Sequence, residues 1–312
     1  MTIAQAIEQY IQHKRSLGMK FLSAASILYS FARAVGDVDV SGVDAEQVHT
    51  FLFARNVAIQ TASERCSTLK SFYRFALARN LTITSPLPVT MPRTSQRLVP
   101  HVYAQAELKR LVQAVGHLPL SKLQPHTMQA LVLTLYGAGL RIGEAVRLVL
   151  SDVDLVNEVL NVRQSKFYKD RFVPMGRDLT RVLQNYASAR RCLGHAEDDG
   201  VPFFVTDTGD PISIQLAEQG FRRLCRIARV HRQDGGRYQP RLHDLRHSFA
   251  VHRLVAWYKA GADVNRMLPK LSTYLGHFQI SHTQRYLTMT PELLQQASAR
   301  FELFAQPEVI YA

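Results

Sequence analysis

Apolar residues recur every three to four positions through most of this chain. The first such run, "TIAQAIEQYIQHKRSLG", sets Ile3, Ala6, Ile7, Tyr10 and Ile11 on one helical face before Gly18. A second helix is predicted from Ser23 or Ser26 through Val35, ending near Gly36, and "VDAEQVHTFLFAR" predicts a third. The fourth, "TASERCSTLKSFYRFALARN", opens with Thr61 and Glu64 at capping-box spacing and lines up Leu69, Phe72, Tyr73 and Ala76 on one side. Such stripes are buried by packing on one another, so residues 1–83 read as a small helical bundle. The pattern then breaks. "TSPLPVTMPRTSQRLVP" has four prolines, two arginines and no sustained period, and residues 84–101 read as a linker between domains.

Periodicity resumes in the second domain, residues 102–312. "YAQAELKRLVQAV" predicts a helix, and "HTMQALVLTLYGAGLRIGEAVRL" predicts a mostly apolar helix, a glycine-marked turn and another helix. "VDLVNEVLNVRQSKFYKDRFVPM" differs: apolar residues alternate on either side of polar "SKFYKD", as expected of antiparallel strands. Helices are expected again from Leu179, over Ile214 to Val230, and from His243 onward. In the last of these, "PELLQQASARFELF" places Pro291 near a first turn and Leu293, Leu294, Ala297, Phe301 and Phe304 along a stripe, a helix over about 291–305. The fold class is therefore mainly α with a small antiparallel sheet in the second domain (α+β), and no internal repeat is found.

Composition adds a partner class. Lys+Arg 38 against Asp+Glu 25 gives a formal charge of +13, spread along all 312 residues, which points to a polyanion. Nucleic acid fits better than an anionic membrane, since no lipidation motif or hydrophobic anchor stands out and no run reaches the roughly 18 apolar residues of a span. The amino terminus has neither a signal-peptide apolar region nor a cleavage site, so a cytoplasmic protein is expected. Cys66, Cys192 and Cys225 are far apart and lack CxxC spacing, which supports neither a disulfide framework nor a zinc ribbon.

Three stretches carry candidate chemistry. In "LHDLRHSFAVHRL", His243, Arg246 and His247 lie one turn apart on a helix. "HDLRH" approaches the H-E-x-x-H of zinc metalloproteases, but Asp244 has the shorter arm and Arg246 would repel a dication; Asp263, His252 and His277 are open as third ligands, and nothing selects among them. "YGAGLRIGEAV" approaches a dinucleotide fingerprint, yet Gly137, Gly139 and Gly143 are spaced one residue too long. A turn in which glycines permit close approach explains them. Arg141, among small and apolar neighbours, needs an anion: either a ligand or a structural partner in Glu144. In "LSTYLGHFQISHTQRYLTM", a Leu-Gly-His turn precedes Tyr286 by nine positions, and His277 and Tyr286 taken singly read as core residues.

Together these stretches resemble the tyrosine recombinases, or phage integrase family. "GLRIGEAVRL" carries Arg141, "SKFYKDRFVPM" carries Lys166, "HDLRHSFA" carries His243 and Arg246, and "LGHFQISHTQRYL" carries His277 and Tyr286, in matching order and spacing. The amino-terminal bundle resembles that family's core-binding domain, and residues 102–312 its catalytic domain. The resemblance implies a site-specific recombinase in which the Tyr286 oxygen attacks a DNA phosphodiester, leaving a 3′-phosphotyrosyl bond and a free 5′-hydroxyl that a second strand's hydroxyl later replaces. It implies that Arg141 and Arg246 clamp the nonbridging oxygens, that His243 donates to them and trades a proton with Tyr286, that Lys166 protonates the leaving oxygen, and that His277 orients the phosphate. Lys169 is the rival to Lys166, and His247 receives no role. No cofactor and no metal is required.

The resemblance further implies a homo-tetramer tied together by exchange of the terminal helix; both domains are expected to close on double-stranded DNA, and Lys14, Lys70, Arg74, Arg93 and Arg97 are candidate phosphate contacts. "VAWYKAGADVNRMLPKLSTY", with Pro269 inside a helical pattern, is longer than the family's usual connection and is reminiscent of transposon-borne members serving integration, excision or transposition of a mobile element. The competing functions are a type IB topoisomerase-like nicking and closing enzyme, an inactive DNA-binding protein and, behind both, a zinc hydrolase.

Overall fold

The computed structural model describes residues 1–54, 57–92, 99–119, 122–163, 170–236 and 238–289, with Leu293, Gln295 and Ser298. The chain divides into two compact units, Met1–Arg97 and Leu98–Ala312.

The first unit is built on α1 (Ile3–Ser16), α2 (Leu22–Val35), α3 (Ala45–Leu52) and α4 (Ile59–Ala78). Reciprocal caps start two of them: Thr2 with Gln5 on α1, and Asp44 with Gln47 on α3. The α1 stripe is buried as its spacing predicts, and Tyr10 at its centre meets the rings of Phe21, Phe72 and Phe75. One expectation fails. Thr61 does not cap α4, which starts two residues earlier behind Ala58, and Glu64 accepts from Gln60 Nε2 at 3.3 Å instead. The buried stripe itself begins at Ala62 and runs through Cys66 and Leu69, as its spacing predicts, while the added residues Ile59, Gln60 and Thr61 are exposed.

In the second unit α6 (Pro125–Gly137) is buried on most sides, which is why its residues carry so little polar contrast. It packs against α8 (Arg177–Cys192) and α10 (Leu242–Lys259) and joins the main core to α5 (Gln105–Ala114) and α9 (Ile214–Ile227). The expected strands are present: β1 (Val153–Asp154), β2 (Val159–Val162) and β3 (Arg171–Pro174) form an antiparallel sheet in that order, with Val159 opposite Pro174 and Val162 opposite Arg171. Residues 164–169, which include Lys166 and Lys169, lie outside the described residues. A smaller second core joins the back of α10 to α11 (Val264–Leu275), Tyr286 and Leu293. Pro269 does lie within α11, which Asp263 caps at its start, and a short α12 (Ser281–Gln284) precedes Tyr286. Of the expected terminal helix, only Leu293, Gln295 and Ser298 are described.

Candidate active site

α6 ends in a turn at Gly139, whose φ of +61° and closeness to Phe249 exclude a side chain; an added Cβ would lie 2.6 Å from that ring. The turn delivers Arg141 to the start of α7 (Ile142–Ala145). Of the two anions read from the sequence for Arg141, the structure shows the partner Glu144. Arg141 Nη1 donates to Glu144 Oε1 at 2.8 Å and its backbone N–H to Glu144 Oε2 at 2.9 Å, while about a third of the side chain, 34%, remains open to solvent.

Glu144 is the buried anchor. Arg171, the first residue of β3, donates to both of its oxygens at 3.1 and 2.8 Å, and Arg246 stands 3.8 Å away. The surrounding guanidinium groups outweigh burial and draw the carboxyl down to about 2, so it stays ionised.

α11 provides the opposite wall. It closes on Gly276 in the left-handed conformation, with Gly276 N–H donating to the Thr273 carbonyl and His277 N–H to that of Ser272, the paired bonds of a Schellman ending. Three successive carbonyls at this end each accept from a different arginine: Tyr274 from Arg171 Nε at 3.0 Å, Leu275 from Arg246 Nη2 at 2.6 Å and Gly276 from Arg141 Nη2 at 3.1 Å. A helix carboxyl end carries partial negative charge, so it is a natural seat for cations. Arg246 also donates to the Gly139 carbonyl at 2.7 Å, which suspends it between the ends of α6 and α11 at 1% exposure. Burial and Arg141 pull its pKa down to about 10, still cationic at neutral pH.

The phenol of Tyr286 faces this cluster. It is 2% exposed, and burial pushes its pKa up against the opposing pull of Arg246, Arg141 and Arg285. His247 Nδ1 lies 3.2 Å from its oxygen, and the His247 ring meets the His243 ring edge-on at 4.7 Å between centroids. The His277 ring stacks beside Tyr286 at 6.1 Å, with its Nδ1 2.8 Å from Thr283 Oγ1. His277 and His247 are both lowered to about 3, first by burial and then by nearby cations, so both are neutral. His243 is lowered by the protein around it and by Arg246, although its edge is exposed.

Five of the six catalytic candidates, Arg141, His243, Arg246, His277 and Tyr286, thus share one site; Lys166 lies outside the described residues. Arg171 and His247 join the site without having been selected from the sequence. His247 had a visible signal in its one-residue offset from Arg246. Arg171 had none, because its partners come from α7 and α11. The proposed metal ligands are otherwise engaged: Asp244 accepts from the Arg241 backbone N–H at 2.9 Å as the cap of its own helix, His252 Nδ1 lies 2.9 Å from the Tyr136 hydroxyl, and Asp263 caps α11. Among the described residues, no group of three or more His, Cys, Asp or Glu is arranged to hold a metal. Of the expected DNA contacts, Lys70 and Arg74 are exposed one turn apart on α4, Lys14 lies 5.4 Å over the Tyr10 ring, and Arg93 and Arg97 are outside the described residues.

Residues 102–292 match the phage integrase family. The integrase/recombinase y4rB of Sinorhizobium fredii is 34% identical over 306 residues, 96% of this chain and 97% of its own length. The tyrosine recombinase XerC of Pediococcus pentosaceus is 28% identical over 311 residues, 96% of this chain and 98% of that one. Among solved structures, the Tn1549 transposon integrase in complex with a circular intermediate DNA has a TM-score of 0.73 at 18% identity, covering 97% of this chain and 99% of its own. A lambda integrase dimer bound to a COC′ core site has a TM-score of 0.65 at 18% identity, covering 93% and 97%. At that identity the likeness is one of fold.

Proposed function

The chain belongs to the phage integrase family, the tyrosine recombinases, and on that premise we propose that it is a site-specific DNA recombinase in which Tyr286 becomes joined to DNA through a 3′-phosphotyrosyl bond. The observation that carries the assignment is the meeting of a buried phenol with two arginines fixed by backbone carbonyls. Attack on a phosphodiester builds negative charge on the nonbridging oxygens, and guanidinium groups already held in place stabilise it without reorganising. A guanidinium has five N–H donors, so Arg141 and Arg246 keep donors for phosphate beyond the two that each gives to carbonyls or Glu144. His243 and His277 flank the same position and donate to the phosphate, and Lys166 protonates the departing 5′-oxygen. The bond energy is kept in the protein–DNA ester, so rejoining needs no nucleotide.

The partner is double-stranded DNA at a recombination site. Lys14, Lys70, Arg74, Arg93 and Arg97 contact its phosphates, and a formal charge of +13 supports such a partner. The active assembly is a homo-tetramer joined through residues 291–305, acting at the nucleoid on a mobile element in integration, excision or transposition. The test is a nicked suicide substrate. The protein should give a covalent adduct on a denaturing gel and Tyr286→Phe none, whereas an adduct retained by the variant removes Tyr286 from its role. Joining of two DNA sites, rather than relaxation of supercoils alone, separates strand exchange from topoisomerase-like nicking and closing.

A further inference from the structure

The geometry points to His247 as a further catalytic residue: its Nδ1 accepts the hydroxyl hydrogen of Tyr286 and takes that proton as the phenolic oxygen attacks the phosphorus. The inference rests on the recombinase reading and moves to His247 the proton exchange that family resemblance gives to His243.

Three observations carry it. His247 Nδ1 is 3.2 Å from the Tyr286 oxygen, a hydrogen bond in the resting molecule. The His247 ring stands between its neighbours, 4.7 Å from the His243 ring on one side and 5.5 Å from the Tyr286 ring on the other. Finally, α10 is rigidly placed at this point, because Arg246 next in the chain is tied to the carbonyls of Gly139 and Leu275. His243, one turn earlier on an exposed edge, is better located to reach a phosphate from outside than to reach a buried phenol.

Protonation states agree with the arrangement. Burial, His243, Arg246, Arg241 and Arg285 hold the imidazole neutral in the DNA-free protein, which leaves the Nδ1 lone pair available when the ring hydrogen is on Nε2. A phosphodiester entering the same pocket adds an anion beside the ring, and a nearby opposite charge raises the proton affinity of an imidazole. In the step itself, the O–H bond of Tyr286 breaks as N–H forms on His247. The phenolic oxygen bonds to phosphorus, the bond to the 5′-oxygen breaks, and that oxygen takes a proton from the general acid of the site. In rejoining, the imidazolium returns its proton to the departing phenol, so one residue serves both directions.

The experiment measures single-turnover cleavage of a suicide substrate by wild type, His247→Leu and His247→Asn, each with tyrosine or trifluorotyrosine at position 286. Loss of a positioned proton acceptor slows cleavage by about 100-fold or more in His247→Leu. His247→Asn, which keeps an acceptor near the Nδ1 position, should fall between that variant and wild type. Fluorination lowers the phenol pKa, so it should recover a large part of the His247→Leu rate while changing wild type little; a packing defect would not respond in this way. Wild-type rates in His247→Leu, or a slow variant that fluorination does not help, would overturn the role of His247. A wild-type protein that forms no Tyr286-dependent adduct would overturn the recombinase reading and this role together.

Discussion

A carboxylate inside a protein stays ionised only when cations or donors meet it, and Glu144 meets Arg141, Arg171 and Arg246. Glu144→Gln should therefore destabilise the protein by about 3–5 kcal/mol in denaturant unfolding at neutral pH, since it leaves buried arginines without their anion. The pH dependence has a definite sign. Above pH 4.5 Glu144 is ionised whether the chain is folded or not; as pH falls from there toward about 2, the unfolded chain takes up a proton that the folded one refuses. Glu144 alone should cost about 3 kcal/mol across that window, a share of the slope that the variant lacks. His247 and His277 begin the loss earlier. They resist protonation down to about 3 while unfolded histidine accepts it at 6.5, so stability should already decline as pH falls through 6.5. A pH series of unfolding midpoints that stays level from 6.5 to 3 would contradict these placements. At this scale the sequence was only partly legible: Arg141 among apolar neighbours demanded an anion, and Glu144 three residues on was a visible candidate. That Arg171 shares the same carboxylate depends on a contact across the fold, which no local pattern encodes.

Between residue and molecule, the decisive element is the end of α11. Its last carbonyls seat three arginines only because the helix stops abruptly, and it stops abruptly because Gly276 adopts a φ of +67°. Gly276→Ala brings the ordinary left-handed cost of roughly 1–2 kcal/mol. Its Cβ would also lie 2.9 Å from Arg171 Nη1, so cleavage should fall along with stability. Gly42→Ala is the control: nothing lies within 4 Å of its added Cβ, and its unfolding free energy should change by less than about 0.5 kcal/mol. Helices were readable wherever an apolar stripe had polar neighbours to contrast with it, as in α1, and the β2–β3 pair was readable from alternation. Boundaries were less so. α4 begins at Ile59, before its apparent Thr61 cap, and the added residues are exposed, so no apolar stripe marks them in the sequence.

For the whole molecule the testable quantity is charge on DNA. Binding should weaken steeply with salt, and Lys70→Ala or Arg74→Ala should each lower the salt slope by about 1 while weakening target and random DNA alike. A loss confined to the target sequence would make them base readers instead. The composition disclosed the kind of partner but not the site it reads, because phosphate contacts carry no sequence information. Motif order was more legible, since stretches spread over 146 positions, from Arg141 to Tyr286, bring Arg141, His243, Arg246, His277 and Tyr286 to one site, with Lys166 outside the described residues. The most direct measurement is to digest the trapped protein–DNA adduct and identify by mass spectrometry the side chain that carries the nucleotide. The expected result is a 3′-phosphate linked to Tyr286; a nucleotide on any other residue would contradict the assignment.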